Sequence, residues 1–155
     1  MTISSAICNS FKTELLAMTP HTAGDTYKLV LIKSSASRSY GADQTAVGTP
    51  GTSTPSTSNL GTDAVPTSGT YPLAGVELTN FSATLDGSTA ILTWDDPGPF
   101  TSATISADGA ILYNSTRSNK AVAVFSFGAT VSSLSGSFDL VLPEATASTA
   151  LIRWS

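Results

Sequence analysis

The second half of the chain is divided by turn sequences into short β-branched and aromatic segments, and this pattern limits the fold more than any other feature. The turn sequences are LDGST, DDPGP, ADG, NSTRSN and SLSG. Short strands at such close, regular intervals are typical of all-β sandwiches and barrels. The predicted strands are residues 26–33, 76–81, 89–94, 103–106, 110–113, 121–127, 137–142 and 150–154. We therefore predict a mainly β fold, an antiparallel β-sandwich or jelly-roll-like domain, with one N-terminal α-helix and a long Thr/Pro/Ser-rich loop.

The N-terminal residues show a helical pattern. Ile3, Ile7, Phe11, Leu15 and Met18 are spaced by four, four, four and three residues, which places them on one face of a helix. Proline at position 20 and glycine at position 24 are helix-ending signals. We therefore predict a helix over residues 3–18, with residues 1–24 forming the helix and its exit loop. Its apolar face is expected to pack on its own domain, with a neighbouring chain as the alternative.

The middle of the chain, residues 41–72, lacks regular periodicity, and we call it the central segment. Its second part, GTPGTSTPSTSNLGTDAVPTSGTYP (residues 48–72), contains four prolines and no Lys or Arg. Proline bars regular ladders and favours extended backbone, and loops longer than about 12–15 residues are usually functional or disordered. We predict an extended arm, within a single domain of residues 1–155, that contacts another chain. The predicted interface residues are Thr49, Pro50, Thr54, Pro55, Leu60, Val65 and Pro66, with Ile3, Ile7 and Phe11 from the helix.

The charge balance argues against nucleic acid and membranes as partners. The chain has 7 Lys and Arg against 11 Asp and Glu, and its scattered basic residues do not form the cationic cluster that phosphates need. No run of about 18 apolar residues is present, and the first residues, MTISSAICNSF, lack the features of a signal peptide. Serine and threonine, 24 and 23 in number, take the place of charges. We expect a cytoplasmic protein whose weakly charged surface suits contact with other proteins.

No group of residues predicts a catalytic or metal site. Asp95 and Asp96 precede Pro-Gly and are interpreted as turn residues, because a calcium loop needs about six or more ordered oxygen ligands. A glycosidase would need a second, distant carboxylate, and nothing in the sequence selects one. His21 lies in a helix-ending loop, and Cys8 lies beside apolar residues, where a free cysteine usually behaves as a small buried hydrophobe. We therefore expect no enzymatic activity, no metal and no cofactor.

The two tryptophans leave one binding function open. Trp94 and Trp154 lie at the ends of predicted strands. Tryptophan and tyrosine side chains can form a stacking platform for sugars, although packing in a core or an interface is their commoner role.

Three stretches of the chain resemble a family of small virion structural proteins of tailed bacteriophages. They are SSAICNSFKTELL, TYKLVLIKSS and ISADGAILYNSTRSNKAVAVFSFG. Family members resemble one another in the order of an N-terminal helix, a hydrophobic strand, a variable Gly/Thr-rich middle and a late signature like SNKAVAV. The resemblance covers residues 4–35 and 103–128, whereas the central segment departs from it. It implies a place in the phage particle without separating head from tail, and it carries no catalytic motif.

The residues and the resemblance together lead to one hypothesis. The chain is expected to be a capsid cement or decoration protein that binds the major capsid protein and itself, as a dimer or trimer. It is expected in the virion, after assembly in the cytoplasm of the host bacterium. The alternatives are a tail or neck component of the same particle and a host-surface or carbohydrate-binding module.

Overall fold

The computed structural model describes all 155 residues and shows a mainly β protein with one helix. The elements are β1 (Ala6–Ile7), α1 (Asn9–Leu16), β2 (Tyr27–Lys33), a 3₁₀ turn (Gly61–Asp63), β3 (Val76–Leu78), β4 (Ser82–Asp86), β5 (Thr89–Thr93), β6 (Pro99–Asn114), β7 (Lys120–Asp139) and β8 (Ile152–Trp154). They form two antiparallel sheets, a five-stranded one in the order β1-β7-β6-β2-β3 and a three-stranded one in the order β4-β5-β8.

The centre of the larger sheet is a hairpin of two long strands, β6 and β7. We predicted separate strands at residues 103–106 and 110–113, and at residues 121–127 and 137–142, and this prediction was wrong. The ADG and SLSG sequences are irregularities within continuous strands, because the pairing register shifts near Gly109 and Ser135 adopts a positive φ of 50°. A Cβ atom on Gly109 would overlap the carbonyl oxygen of Phe125, so the glycine allows close strand approach rather than a chain reversal.

The N-terminal helix is shorter than predicted. Residues preceding it are extended: Ala6 and Ile7 pair with the edge of β7, and Ile3 forms an isolated bridge with Tyr40. Because these residues find backbone partners far along the chain, their four-residue spacing does not produce a helix. The prediction of a helix over residues 3–18 is therefore correct only for Asn9–Leu16.

Local strand signals were more reliable. The run at residues 26–33 forms β2, whose residues Leu29, Val30, Leu31 and Ile32 are all buried. The turn predicted at LDGST is confirmed, because Asp86 pairs with Thr89 across this turn, which joins β4 and β5 in a hairpin. A core of 30 buried residues draws on both sheets. The one helix has eight residues, and no helix has the length and apolarity needed to cross a membrane.

Candidate functional site

The central segment is folded onto its own domain by a buried carboxylate. The 3₁₀ turn carries Asp63, which is fully buried and accepts hydrogen bonds from the Ser37 backbone N–H at 2.8 Å and the Tyr40 hydroxyl at 2.8 Å. The Ser37 hydroxyl donates a further hydrogen bond at 3.1 Å. Burial, with the Asp63 carboxylate, raises the pKa of Tyr40 above its usual value, so this hydroxyl remains a donor. All the donors to the Asp63 carboxyl group, the Arg38 backbone N–H included, thus come from the segment that follows β2.

Arg38 is the centre of a second polar cluster, which contacts the first part of the central segment. The guanidinium donates to Gln44 Oε1 at 2.6 Å and to the Ser56 carbonyl oxygen at 3.0 Å, and pairs with Asp43 at 3.2 Å. It also lies 4.6 Å from the centre of the Tyr40 ring. These contacts hold the central segment at two points, the fully buried side chain of Gln44 and the backbone carbonyl group of Ser56.

These contacts correct part of the predicted interface. Leu60 and Val65 are buried in the core of their own chain, at 0% and 1% exposure, and cannot present their side chains to a neighbour. Their backbone N–H groups are also satisfied internally, by the carbonyl oxygens of Val47 and Leu31. Among the other predicted residues, Thr49, Thr54 and Pro66 are exposed and Pro50 and Pro55 are half-buried. For these five, contact with another chain stays a prediction.

The burial of the central segment also changes the expected result of a deletion. A free arm would tolerate removal of residues 51–68 without loss of the fold. In the structure this removal takes away Leu60, Asp63 and Val65, each buried. We therefore expect the deletion to unfold the domain, as far-ultraviolet circular dichroism would show, and a folded deletion variant would contradict this assignment.

The apolar residues at the N-terminus pack on their own domain. Phe11 of α1 is 3% exposed and makes an edge contact with His21 at a centroid distance of 4.8 Å. Ile3 and Ile7 are half-buried against the same core. Of the three predicted helix contacts with a neighbour, Phe11 is therefore unavailable, whereas Ile3 and Ile7 retain some exposed surface.

A polar cluster joins α1 to the turn between β6 and β7. His21 Nε2 lies 2.9 Å from Glu14 Oε2, and the other Glu14 oxygen lies 2.8 Å from Lys120 Nζ. His21 Nδ1 lies 3.2 Å from the Asn114 amide. Burial opposes ionisation of Glu14, yet the hydrogen bonds from Lys120 and His21 lower its pKa. Both ring nitrogens of His21 are therefore engaged, and neither faces a serine or a cysteine as a catalytic base would.

Asp25 extends this cluster and makes the stability of the domain pH-dependent. It accepts hydrogen bonds from Arg117 at 3.1 and 3.2 Å and from Asn114 at 2.8 Å. The hydrogen bonds from Arg117, with those from Asn114 and the backbone, outweigh burial and hold the pKa of Asp25 well below its usual value. A depressed folded-state pKa contributes stability that is present above the unfolded pKa of about 3.9 and is lost as the pH falls below it.

Asp25→Asn is therefore expected to lower the free energy of unfolding by about 1 kcal/mol at pH 7, a modest value because Arg117 is 38% exposed. The difference between wild type and variant should shrink as the pH falls from 5 towards 2. Urea unfolding at several pH values measures it, with the exposed Asp139→Asn as a control that should show no such trend. A difference that grows on acidification would contradict the assigned role of Asp25.

The other candidate chemical residues serve structural roles. The Asn80 amide donates to Asp95, and Asp96 accepts a hydrogen bond from the Leu142 backbone at 2.6 Å. Cys8 is fully buried, and burial, with the charge of Asp43, raises the pKa of its thiol to about 12. A thiol with this pKa is protonated at neutral pH and is a poor nucleophile.

An apolar groove lies between α1, the end of the larger sheet and the smaller sheet, and we call it the α1 groove. Its volume is about 450 Å³. Tyr27, Phe81 and Trp94 pack together on one side, with centroid distances of 5.4 to 5.6 Å, and Trp94 Nε1 has no hydrogen-bond partner. Leu15 and Trp154 also line the groove and are 39% and 49% exposed. The groove is thus an incompletely filled gap between layers of the domain.

The outer edge of β7 over residues 128–139, which we call the β7 edge, has no neighbouring strand. β1 pairs only with Ala123 and Val124, and beyond them β7 pairs only with β6. The sequence of this edge, GATVSSLSGSFD, contains one charged residue and neither Lys nor Pro. Natural proteins usually protect exposed edges with Lys, Pro or bulges, and only bulges are present here. The straight stretch between them, residues 131–133, carries the half-exposed Val131.

In comparisons with protein-family models, curated proteins and solved structures, nothing matched this chain. The α1 groove and the β7 edge are therefore candidate sites on the geometry of this chain alone. Neither is apparent from the sequence: interpreting SLSG as a turn hides the β7 edge, and the α1 groove depends on residues from six elements, α1, β2, β4, β5, β7 and β8. The absence of Lys and Pro over residues 128–139 was the available signal for the edge.

Proposed function

We propose that the protein is a structural component of a tailed-bacteriophage particle, a capsid cement or decoration protein that binds the major capsid protein. In this proposal it assembles in the cytoplasm of the host bacterium and remains in the virion. The sandwich-like packing of its two sheets forms part of the same proposal. Its support from the sequence is the resemblance carried by residues 4–35 and 103–128.

The single structural observation that carries the proposal is the β7 edge. A row of unpaired backbone groups binds an extended segment of another chain by adding a strand to the sheet. Such contacts use backbone hydrogen bonds, so they suit an uncharged, hydroxyl-rich edge like GATVSSLSGSFD. A coat protein repeated across a lattice would offer the same segment many times, and a cement protein would stabilise the shell by occupying each copy.

The β7 edge and the two tryptophans also bear on the two alternative functions. A tail or neck component would use the same edge and differs in its number of copies per particle. A carbohydrate-binding module would need an exposed aromatic platform, but Trp94 is only 6% exposed and packs against Tyr27 and Phe81. Trp154 alone is accessible, so this alternative has less support.

Binding to coat shells that lack the protein tests the proposal. The purified chain should cosediment with such shells, saturate at a simple ratio to the coat protein and raise the temperature at which they disassemble. Binding without a change in shell stability would contradict the cement role, and no binding would contradict the capsid assignment.

A further inference from the structure

Helix α1 ends in a turn that usually requires glycine, but this chain has methionine there. The Thr19 N–H donates to the Glu14 carbonyl oxygen at 2.9 Å and the Met18 N–H to the Leu15 carbonyl oxygen at 3.1 Å, which together form a Schellman motif. Met18 holds the left-handed position of the motif, with a φ of 55°. A side chain in this conformation costs free energy that glycine avoids.

Packing of the Met18 side chain within the chain does not offset this cost, because Met18 is 90% exposed. Leu16, at the last position of α1, is 81% exposed as well. Two large apolar side chains therefore project from the end of one short helix. Strained residues that gain nothing in their own fold are typical of functional sites, and methionine is common at binding surfaces because its flexible side chain fits irregular cavities.

The same corner of the molecule also contains a cavity that apolar side chains fit. Leu15, three residues before Met18, lines the α1 groove, and 12 of its 13 lining residues are hydrophobic. The remaining one, His21, has both ring nitrogens engaged by Glu14 and Asn114. With no Asp, Glu, Lys or Arg in the lining, two identical corners meet without like-charge repulsion, despite the net charge of −4.

We propose that two copies of this chain associate through this corner about a two-fold axis, with Met18 of each copy inserted into the α1 groove of the other. A two-fold contact uses one patch twice, so that patch must carry both the projecting side chain and the cavity that receives it. The end of α1 and the α1 groove meet this condition. The inference specifies the self-contact of the proposed virion protein and rests on that proposal only for its biological setting.

Sedimentation equilibrium of the purified full-length chain, with no phage component present, tests the contact. Wild type should be dimeric. Met18→Gly removes the backbone strain, so it should raise the melting temperature of the monomer by about 2–4 °C. Because it also removes the inserted side chain, it should weaken dimerisation by about 10-fold or more. Ala90→Glu, which places a charge on an exposed residue lining the α1 groove, should abolish the dimer. Leu134→Ala truncates a leucine on the β7 edge that is about as exposed as Leu16. This variant should leave the dimer unchanged.

Three outcomes would overturn the proposal: a monomeric or trimeric wild type, a dimer that survives both Met18→Gly and Ala90→Glu, and a dimer that Leu134→Ala weakens as much as these two variants do. A monomeric wild type whose binding to coat shells falls on Met18→Gly would also overturn it and would assign Met18 to a contact with the coat protein. Because the measurement uses the chain alone, its failure leaves the capsid proposal standing, and failure of shell binding leaves the dimer standing.

Discussion

Asp63→Ala is expected to lower the free energy of unfolding by about 3 kcal/mol or more. The substitution removes the acceptor for the Ser37 N–H, the Ser37 hydroxyl and the Tyr40 hydroxyl in a fully buried position. Hydrogen bonds to charged groups contribute about 1.5–3 kcal/mol each, and buried donors left without partners add a desolvation cost. The central segment loses its main attachment at the same time.

Urea unfolding followed by tryptophan fluorescence measures this effect. Asp43→Ala is the matched control, because the Asp43 side chain is 61% exposed and pairs only with Arg38, and such pairs contribute at most about 1 kcal/mol. Asp63→Asn, which keeps one carbonyl acceptor, should lie between the two. Equal destabilisation by Asp63→Ala and Asp43→Ala would mean that the buried carboxylate does not hold the central segment.

Ser132→Lys combined with Leu134→Lys is expected to weaken binding to coat shells by about 100-fold, which corresponds to about 2.7 kcal/mol. A strand added to the β7 edge would have to desolvate both ammonium groups, and lysine at sheet edges is the device that natural proteins use against such pairing. Both residues are exposed, so the melting temperature should change little.

Cosedimentation with coat shells gives the affinities. Thr84→Lys combined with Ser88→Lys is the matched control, since it adds the same charge at two exposed residues, one in β4 and one in the turn between β4 and β5. Equal weakening by both pairs would point to general electrostatics. Unchanged binding of the Ser132→Lys, Leu134→Lys variant would mean that the β7 edge does not bind the coat protein.

The parts of the fold that the sequence predicted are those specified by neighbouring residues. The buried run of β2 and the Asp-Gly turn between β4 and β5 depend on signals within a few positions. The beginning of the helix and the two long strands depend on distant partners: Ile7 pairs with Ala123, and Gly109 faces Phe125. Local patterns cannot distinguish a bulge from a turn when the deciding contact lies this far along the chain.

The candidate site shows the same limit more strongly. Asp63 is bound by residues 23 to 26 positions earlier, so its role in folding the central segment could not be read from a Thr/Pro/Ser-rich sequence. The α1 groove brings together Leu15, Trp94 and Trp154 from distant parts of the chain. The sequence pattern places Met18 on an apolar helix face, whereas its left-handed backbone angle puts it beyond the end of α1 and its exposure shows that it projects from the domain.

The copy number of this chain in purified phage particles, measured by quantitative mass spectrometry against the major capsid protein, tests the central claim most directly. A capsid cement protein should be present at a ratio near one to the coat protein, or at a simple fraction set by the lattice. A few to a few tens of copies would place the chain in the neck or tail, and its absence from particles would contradict the structural role altogether.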